Sequence, residues 1–243
     1  MTGKTVLITG AAQRIGAAIA RDLHDHDMDV VIHYHQSSLS AEKLAAELNQ
    51  MRKESAFLVQ GDLLDFACYE EIIERAYGIN KRLDVLVNNA SSFFPTPVGH
   101  ITIEQWQKLI GVNMQAPLFL AQFAAEYLAA SQGCIINITD IHAIRPLKDH
   151  PVYSAAKAGL VALTMALAKE LGPAVRVNGI SPGAILWAEH MDSERQKDIL
   201  EKVTLERTGE VEDVVNAVRF LISESSYTTG QILTVDGGRT LYS

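Results

Sequence analysis

The chain has 243 residues, 48% hydrophobic and 21% charged, a balance that suits one globular domain with an ample core and argues against disorder. A formal net charge of -8 repels phosphate backbones and anionic bilayers on average, so neither nucleic acid nor a membrane is the expected partner, although a local basic pocket still admits a small anion. Cys68 and Cys134 form no disulfide framework and no metal spacing; with no signal-peptide pattern, and the most apolar later stretches broken by Glu126, Lys157 and Lys169, the expectation is a soluble cytoplasmic protein.

Short apolar, β-branched runs alternate along the chain with segments whose apolar residues recur every three or four positions. The first run, "KTVLITG" (4–10), leads into "TGAAQRIG" (9–16), which opens a helix. Strand, glycine loop and helix in that order are the context a pyrophosphate-binding loop requires. Gly10 permits the tight turn, Gly16 lets the helix lie close to the sheet, and the helix N-terminus faces the phosphates. Arg14 occupies the place of the usual middle glycine. The second run, "DVVIHYH" (29–35), ends without the acid that commonly holds a ribose 2′-hydroxyl, since no Asp or Glu falls between Asp29 and Glu42. Arg14, His35, Ser37 and Ser38 suit a 2′-phosphate instead, so the expected cofactor is NADPH, with Gln36 where an arginine would have decided it. His33 and His35 alternate on one strand face, but the sequence sets no third metal ligand beside them.

The third run, "SAFLVQG" (55–61), ends at Asp62 and Leu63, placed to accept from an adenine amino group and to pack beside it. The fourth, "LDVLVNN" (83–89), ends in "NNAS" (88–91), at a strand end where ligands collect in open parallel sheets. "TIEQW" (102–106) carries a capping box in Thr102 and Gln105. "APLFLAQFAAEYLAA" (116–130) and "SAAKAGLVALTMALA" (154–168) are helices apolar nearly all round, more than one stripe against a sheet requires. Their surplus alanine-rich face, with Gly159, predicts a homo-oligomer, a tetramer favoured over a dimer, with cover by a loop of the same chain as the alternative. "CIINIT" (134–139), "VRVNGIS" (175–181) and "QILTVDGG" (231–238) complete about seven strands. Near-continuous apolar strands are buried on both faces, so the predicted fold is α/β: one doubly wound, Rossmann-type parallel sheet with helices on both faces, a single domain over 1–243.

The chemistry concentrates in "TDIHAIRPLKDHPVYSAAK" (139–157), which holds Asp140, Tyr153 and Lys157. Tyr153 and Lys157 are four apart on a predicted helix and share a face. A free phenol, with a pKa of about 10, is a poor proton shuttle at neutral pH, and a nearby ammonium favours its phenolate. The same lysine is placed to hold nicotinamide ribose hydroxyls. The pair reads as a hydride-transfer centre.

With these pieces the chain resembles the short-chain dehydrogenase/reductase family over essentially its full length, through the 9–16 loop, Asp62, residues 88–90, Asn113, Tyr153, Lys157, Pro182 and Gly183. The resemblance implies cofactor contacts from Gly10, Arg14, Ile15, Gly16, His35, Ser37, Asp62, Leu63, Asn89, Ala90, Tyr153, Lys157, Pro182 and Gly183. That family usually has a serine where this chain has Asp140. A narrower likeness accounts for the departure: "TGAAQRIG", "HYHQSS", "NNASSFFPTP" (88–97) and the Asp140, Tyr153, Lys157 spacing resemble the pteridine reductases. This implies an NADPH-dependent enzyme with an Asp–Tyr–Lys centre and a pterin sandwiched between nicotinamide and Phe93. It also implies Ser91 and Arg14 at the pterin or the cofactor phosphates, and a substrate loop at about 184–208 with Trp187 as a candidate wall. Gln36 departs from the pattern, and "DGGRTLYS" (236–243) diverges too far to supply a contact.

Charge signs suggest why an aspartate stands at 140. Lys157 favours phenolate, whereas an ionised Asp140 opposes it and keeps the proton on Tyr153. Such a centre suits a proton donor, hence reduction of a C=N bond by hydride at carbon and a proton at nitrogen. The rivals are another short-chain reductase, such as one acting on 3-oxoacyl thioesters, which predicts serine at 140, and a non-catalytic NADPH-binding protein.

Overall fold

Seven strands, β1 (Lys4–Ile8), β2 (Met28–Tyr34), β3 (Ala56–Gln60), β4 (Val85–Asn88), β5 (Cys134–Ile138), β6 (Arg176–Pro182) and β7 (Ile232–Val235), form one sheet in the computed structural model, which describes residues 1–186 and 193–242. All pairings are parallel, in the order β3-β2-β1-β4-β5-β6-β7. Among the described residues eight α-helices accompany them: α1 (Arg14–Asp25), α2 (Ser38–Met51), α3 (Cys68–Asn80), α4 (Ile103–Ile110), α5 (Ala116–Ser131), α6 (Pro151–Leu171), α7 (Ser193–Leu200) and α8 (Val211–Ser223).

Strand alternation builds the two layers. Val6 and Ile8 of β1 face one core and Leu7 the other, and β4 divides the same way, Val85 and Val87 against Leu86. The first core is closed by α1, α2 and α8, through residues such as Ile19, Leu44 and Val214. The second is closed by α3 and α5, through Ile72, Leu120 and Leu128, with Ala168 of α6 joining them. Leu86 has no exposure, so truncating it to alanine costs about 2–5 kcal/mol. Strand order reverses direction between β1 and β4, and their carboxyl ends open the crevice where such sheets take ligands.

Element ends differ from the pattern for identifiable reasons. β1 stops at Ile8 because the Thr9 hydroxyl turns to accept the Asn89 and Ala90 amides, each at 3.0 Å. β7 stops at Val235 because Gly237 and Gly238 take φ 61° and 83° and swing the chain into a 3-10 turn at Arg239–Leu241. The expected capping box forms in full: the Gln105 amide donates to Thr102 Oγ1 at 3.2 Å and the Thr102 amide to Gln105 Oε1 at 3.0 Å. A π-helical turn, Gly111–Gln115, runs between α4 and α5.

Two features of α6 bear on the expectations about it. The gap at Gly159 is filled from within the chain, since a Cβ there would lie 2.2 Å from Met114 Sδ. By length and composition α6 could cross a bilayer, against the expectation that no segment approaches this; its inner side is packed on the sheet and carries the buried Tyr153 and Lys157.

Candidate active site

The crevice above β1 and β4 widens into a cleft of about 1010 Å³. At one end stand Arg14, His35, Gln36 and Ser37; Asp62, Asn89 and Ala90 follow, then Tyr153, Lys157, Pro182 and Gly183. Ile15, Gly10, Gly16, Leu63, Ser91, Phe93 and Asp140 also line it. Of the expected site residues among the described positions, all but Ser38 therefore border one cavity. Trp187 lies outside the described residues, as does part of the expected 184–208 loop.

The glycine loop packs tightly on the end of β4 and on itself, which only glycine permits. Gly10 has φ +61°, and a Cβ there would come within 2.9 Å of Ala90 Cα. A Cβ on Gly16 would come within 2.5 Å of the Gly10 carbonyl. α1 begins with no side-chain cap and no acid in its first turn, which leaves N-terminal amides for an anion. Arg14 holds φ 53°, a left-handed backbone that costs an L-residue about 1–2 kcal/mol. These features fit the diphosphate of a dinucleotide. His33 pins the loop from below: the Gly10 amide donates to its Nδ1 at 3.2 Å, so the proton is on Nε2, which donates to the Gly61 carbonyl at 3.2 Å. Burial, its largest influence, lowers the His33 pKa to about 4, and both nitrogens are committed to the backbone rather than to a metal.

At the 2′-phosphate end, His35 Nε2 lies 3.7 Å from Asp62 Oδ2, while Asp62 Oδ1 accepts the Leu64 amide at 3.0 Å. Ser37 precedes α2 without making a capping bond and lines the cleft beside that helix N-terminus.

The chemical centre is assembled from β5 and α6. Asp140 follows β5 in extended backbone, and its Oδ1 caps the 3-10 turn Ile141–Ala143 by accepting the His142 amide at 2.8 Å. Its Oδ2 accepts the Tyr153 hydroxyl at 2.6 Å. Pro151 starts α6 and sets Tyr153 in the first turn and Lys157 in the second. The Lys157 ammonium donates to the Ile138 carbonyl at 2.9 Å and lies 5.8 Å from the Tyr153 ring centroid. Burial raises the Tyr153 pKa well above the ordinary phenol value; the Asp140 charge and hydrogen bond add to this, and Ser91 opposes it. Burial lowers Lys157 to about 8, with the Asp140 charge opposing. The expected contest between cation and anion is thus decided for the protonated phenol.

Ser91 is fixed by a network the sequence did not reveal. Asn113, in the π turn, donates through Nδ2 to the Ser92 and Leu109 carbonyls, both at 2.9 Å. Its Oδ1 therefore accepts the Ser91 hydroxyl at 2.7 Å, which leaves Ser91 Oγ as an acceptor toward the cleft. Phe93 is 53% exposed, with its ring edge-to-face against Tyr153 at 4.8 Å. One face of it stacks on His150 at 4.7 Å and 13°. His150 escaped sequence reasoning because it sits among loop residues. Asp149, at φ 62°, bends the chain there, and its carbonyl accepts the Thr96 amide at 2.6 Å, which brings the two loops together.

Comparison with known proteins agrees with this architecture. Residues 10–240 match the family described as enoyl-(acyl carrier protein) reductase. The chain is 36% identical to pteridine reductase 1 of Leishmania tarentolae, over 99% of this chain and 97% of that protein. It is 35% identical to a 3-oxoacyl-[acyl-carrier-protein] reductase of Synechocystis sp., over 100% and 99%, and 34% identical to an L-xylulose reductase of Caenorhabditis elegans, over 98% and 96%. With its seven-stranded parallel sheet, its glycine loop and its Tyr153–Lys157 pair, the chain belongs to the short-chain dehydrogenase/reductase family, oxidoreductases that use NAD(P)H.

Proposed function

We propose that this protein is an NADPH-dependent pterin reductase that converts dihydropterins, dihydrofolate among them, to the tetrahydro form. The observation that carries the reading is the 2.6 Å bond from the Tyr153 hydroxyl to Asp140, at the position where a carbonyl reductase of this family would hold serine. Likeness to a pteridine reductase supports it.

Gly10, Arg14, Ile15, Gly16, Asn89, Ala90, Pro182 and Gly183 would hold the dinucleotide. Arg14, His35 and Ser37 would take the 2′-phosphate, beside the N-terminus of α2 and with no acid at the end of β2 to repel it. Asp62 and Leu63 would meet the adenine, and Lys157 the nicotinamide ribose. A reduced nicotinamide held there would supply the hydride for the C=N carbon. Tyr153 turns its O–H from Asp140 to the adjacent ring nitrogen and gives up the proton, and Asp140 returns one from solvent. The high affinity of Tyr153 for its proton suits this direction, because nitrogen becomes strongly basic as hydride reaches carbon. Phe93 offers its uncovered face to a flat ring, and Ser91 Oγ accepts from a ring N–H.

Ala155, Ala158, Ala162 and Met165 form an exposed stripe on α6, which we take to be covered by further copies of the chain, in a tetramer. Two free thiols, Cys68 and Cys134, suit the cytoplasm.

The test is NADPH consumption over a panel of oxidised and dihydropterins together with an acetoacetyl thioester. Turnover of dihydropterins supports the reading. Turnover of the thioester alone assigns the chain to the rival that its 35% identical relative represents.

A further inference from the structure

Beyond Asp140 the cleft continues into a side chamber of about 290 Å³, sharing Ile141, His142, Leu147 and Arg239 as common walls. That volume is about ten waters at roughly 30 Å³ each, ample for a short polar chain. Two guanidiniums border it, Arg145 from the loop after β5 and Arg239 from the turn after β7. Arg145 donates once, to the Thr240 carbonyl at 3.2 Å, which ties the two walls together. Among the described residues, neither arginine has a carboxylate at ion-pair distance, and no hydrogen bond of the Arg239 side chain is found. Asp236, three positions before Arg239, has its oxygens engaged by the Gly238 and Thr240 amides at 2.9 and 2.7 Å. His142 Nδ1 donates to the Arg145 carbonyl at 2.9 Å, leaving Nε2 without a partner in the same wall.

Two guanidiniums without a carboxylate partner, in a chamber that shares walls with the cleft lined by Tyr153, call for a physical reason in a chain of net charge -8. A planar fork of donors matches carboxylate or phosphate oxygens, and a half-enclosed setting strengthens the contact. We propose that this chamber binds an anionic substituent, carboxylate or phosphate, carried on the side chain of the ring reduced at Tyr153, and that Arg145 and Arg239 thereby select substrates with charged tails. The inference rests on the pterin reading above and deepens it.

The experiment compares dihydropterins that share a ring and differ in the tail: dihydrofolate with its carboxylates, dihydroneopterin monophosphate with its phosphate, and neutral dihydroneopterin. Wild type is expected to favour one or both charged substrates in kcat/KM. Arg239→Gln combined with Arg145→Gln should cost those substrates about tenfold or more, mainly through KM, and change the neutral one less than about twofold. Arg239→Lys keeps the charge and loses the fork, so it should retain part of the preference, which separates lost charge from a damaged fold. The arm that responds tells carboxylate from phosphate. Equal use of neutral and charged substrates by wild type, or parallel losses on all three in the double variant, overturns the chamber's role while leaving the pterin reading intact. Failure to turn over any dihydropterin overturns both.

Discussion

Asp140→Asn isolates the charge that holds the Tyr153 proton. Asparagine keeps the shape and the capping oxygen, and removes the anion 2.6 Å from the phenol. Two unit charges so close repel strongly in a buried site, and this repulsion ranks second to burial among the causes of the raised phenol pKa. Burial is unchanged in the variant, so its phenol still titrates above a free one but below its present position. The assay is phenolate absorbance against pH, with Asp140→Asn compared with Asp140→Asn/Tyr153→Phe so that the other tyrosines cancel. One additional phenolate should form in Asp140→Asn at a pH where the same subtraction for wild type shows none. Steady-state turnover of dihydropterin should fall about 100-fold, within the usual range for loss of acid–base catalysis, while NADPH affinity changes little. An unmoved phenol titration would refute the electrostatic reasoning, and unchanged turnover would remove Asp140 from the chemistry.

Three further outcomes are expected. Lys157 titrates at about 8 in the fold against about 10.4 unfolded, so the unfolded chain binds the extra proton between those values and stability rises with pH across that window. Denaturant titrations should show this rise, about 3 kcal/mol, in wild type and not in Lys157→Met, which should also lose activity. His33 titrates at about 4 against about 6.5 unfolded; its contribution is present above pH 6.5 and lost as pH falls to 4, so His33→Gln should flatten the acid side of the stability profile by about 3 kcal/mol and weaken NADPH binding. Arg14→Gly relieves the left-handed strain and should raise stability by about 1 kcal/mol while raising Kd for NADPH at least tenfold, by calorimetry; unchanged NADPH affinity would remove Arg14 from the cofactor site.

Much of this was legible because period and burial coincide in a parallel sheet. β4 and β5 are buried at every position, so their apolar runs read directly as strands. Tyr153 and Lys157 were legible because helix spacing alone puts them on one face, and Asp140 because it follows a strand end. Contacts that depend on loops meeting were not. His150 reaches Phe93 only through the bend at Asp149, and Arg239 reaches the cleft only because Gly237 and Gly238 turn the chain after β7. Met114 fills the space at Gly159 from a π turn, a geometry that hydrophobic periodicity does not encode. Charge signs in the sequence suggested that Tyr153 keeps its proton, but the geometry behind this needed three dimensions: Lys157 points to Ile138 while Asp140 meets the hydroxyl.

The most direct measurement is a competition for label. Equimolar dihydropterin and acetoacetyl thioester are incubated with the enzyme and a limiting amount of NADPH deuterated at the transferable position, and the products are read by mass spectrometry. The account predicts deuterium on carbon in the tetrahydropterin. Deuterium confined to the 3-hydroxyacyl thioester would contradict it.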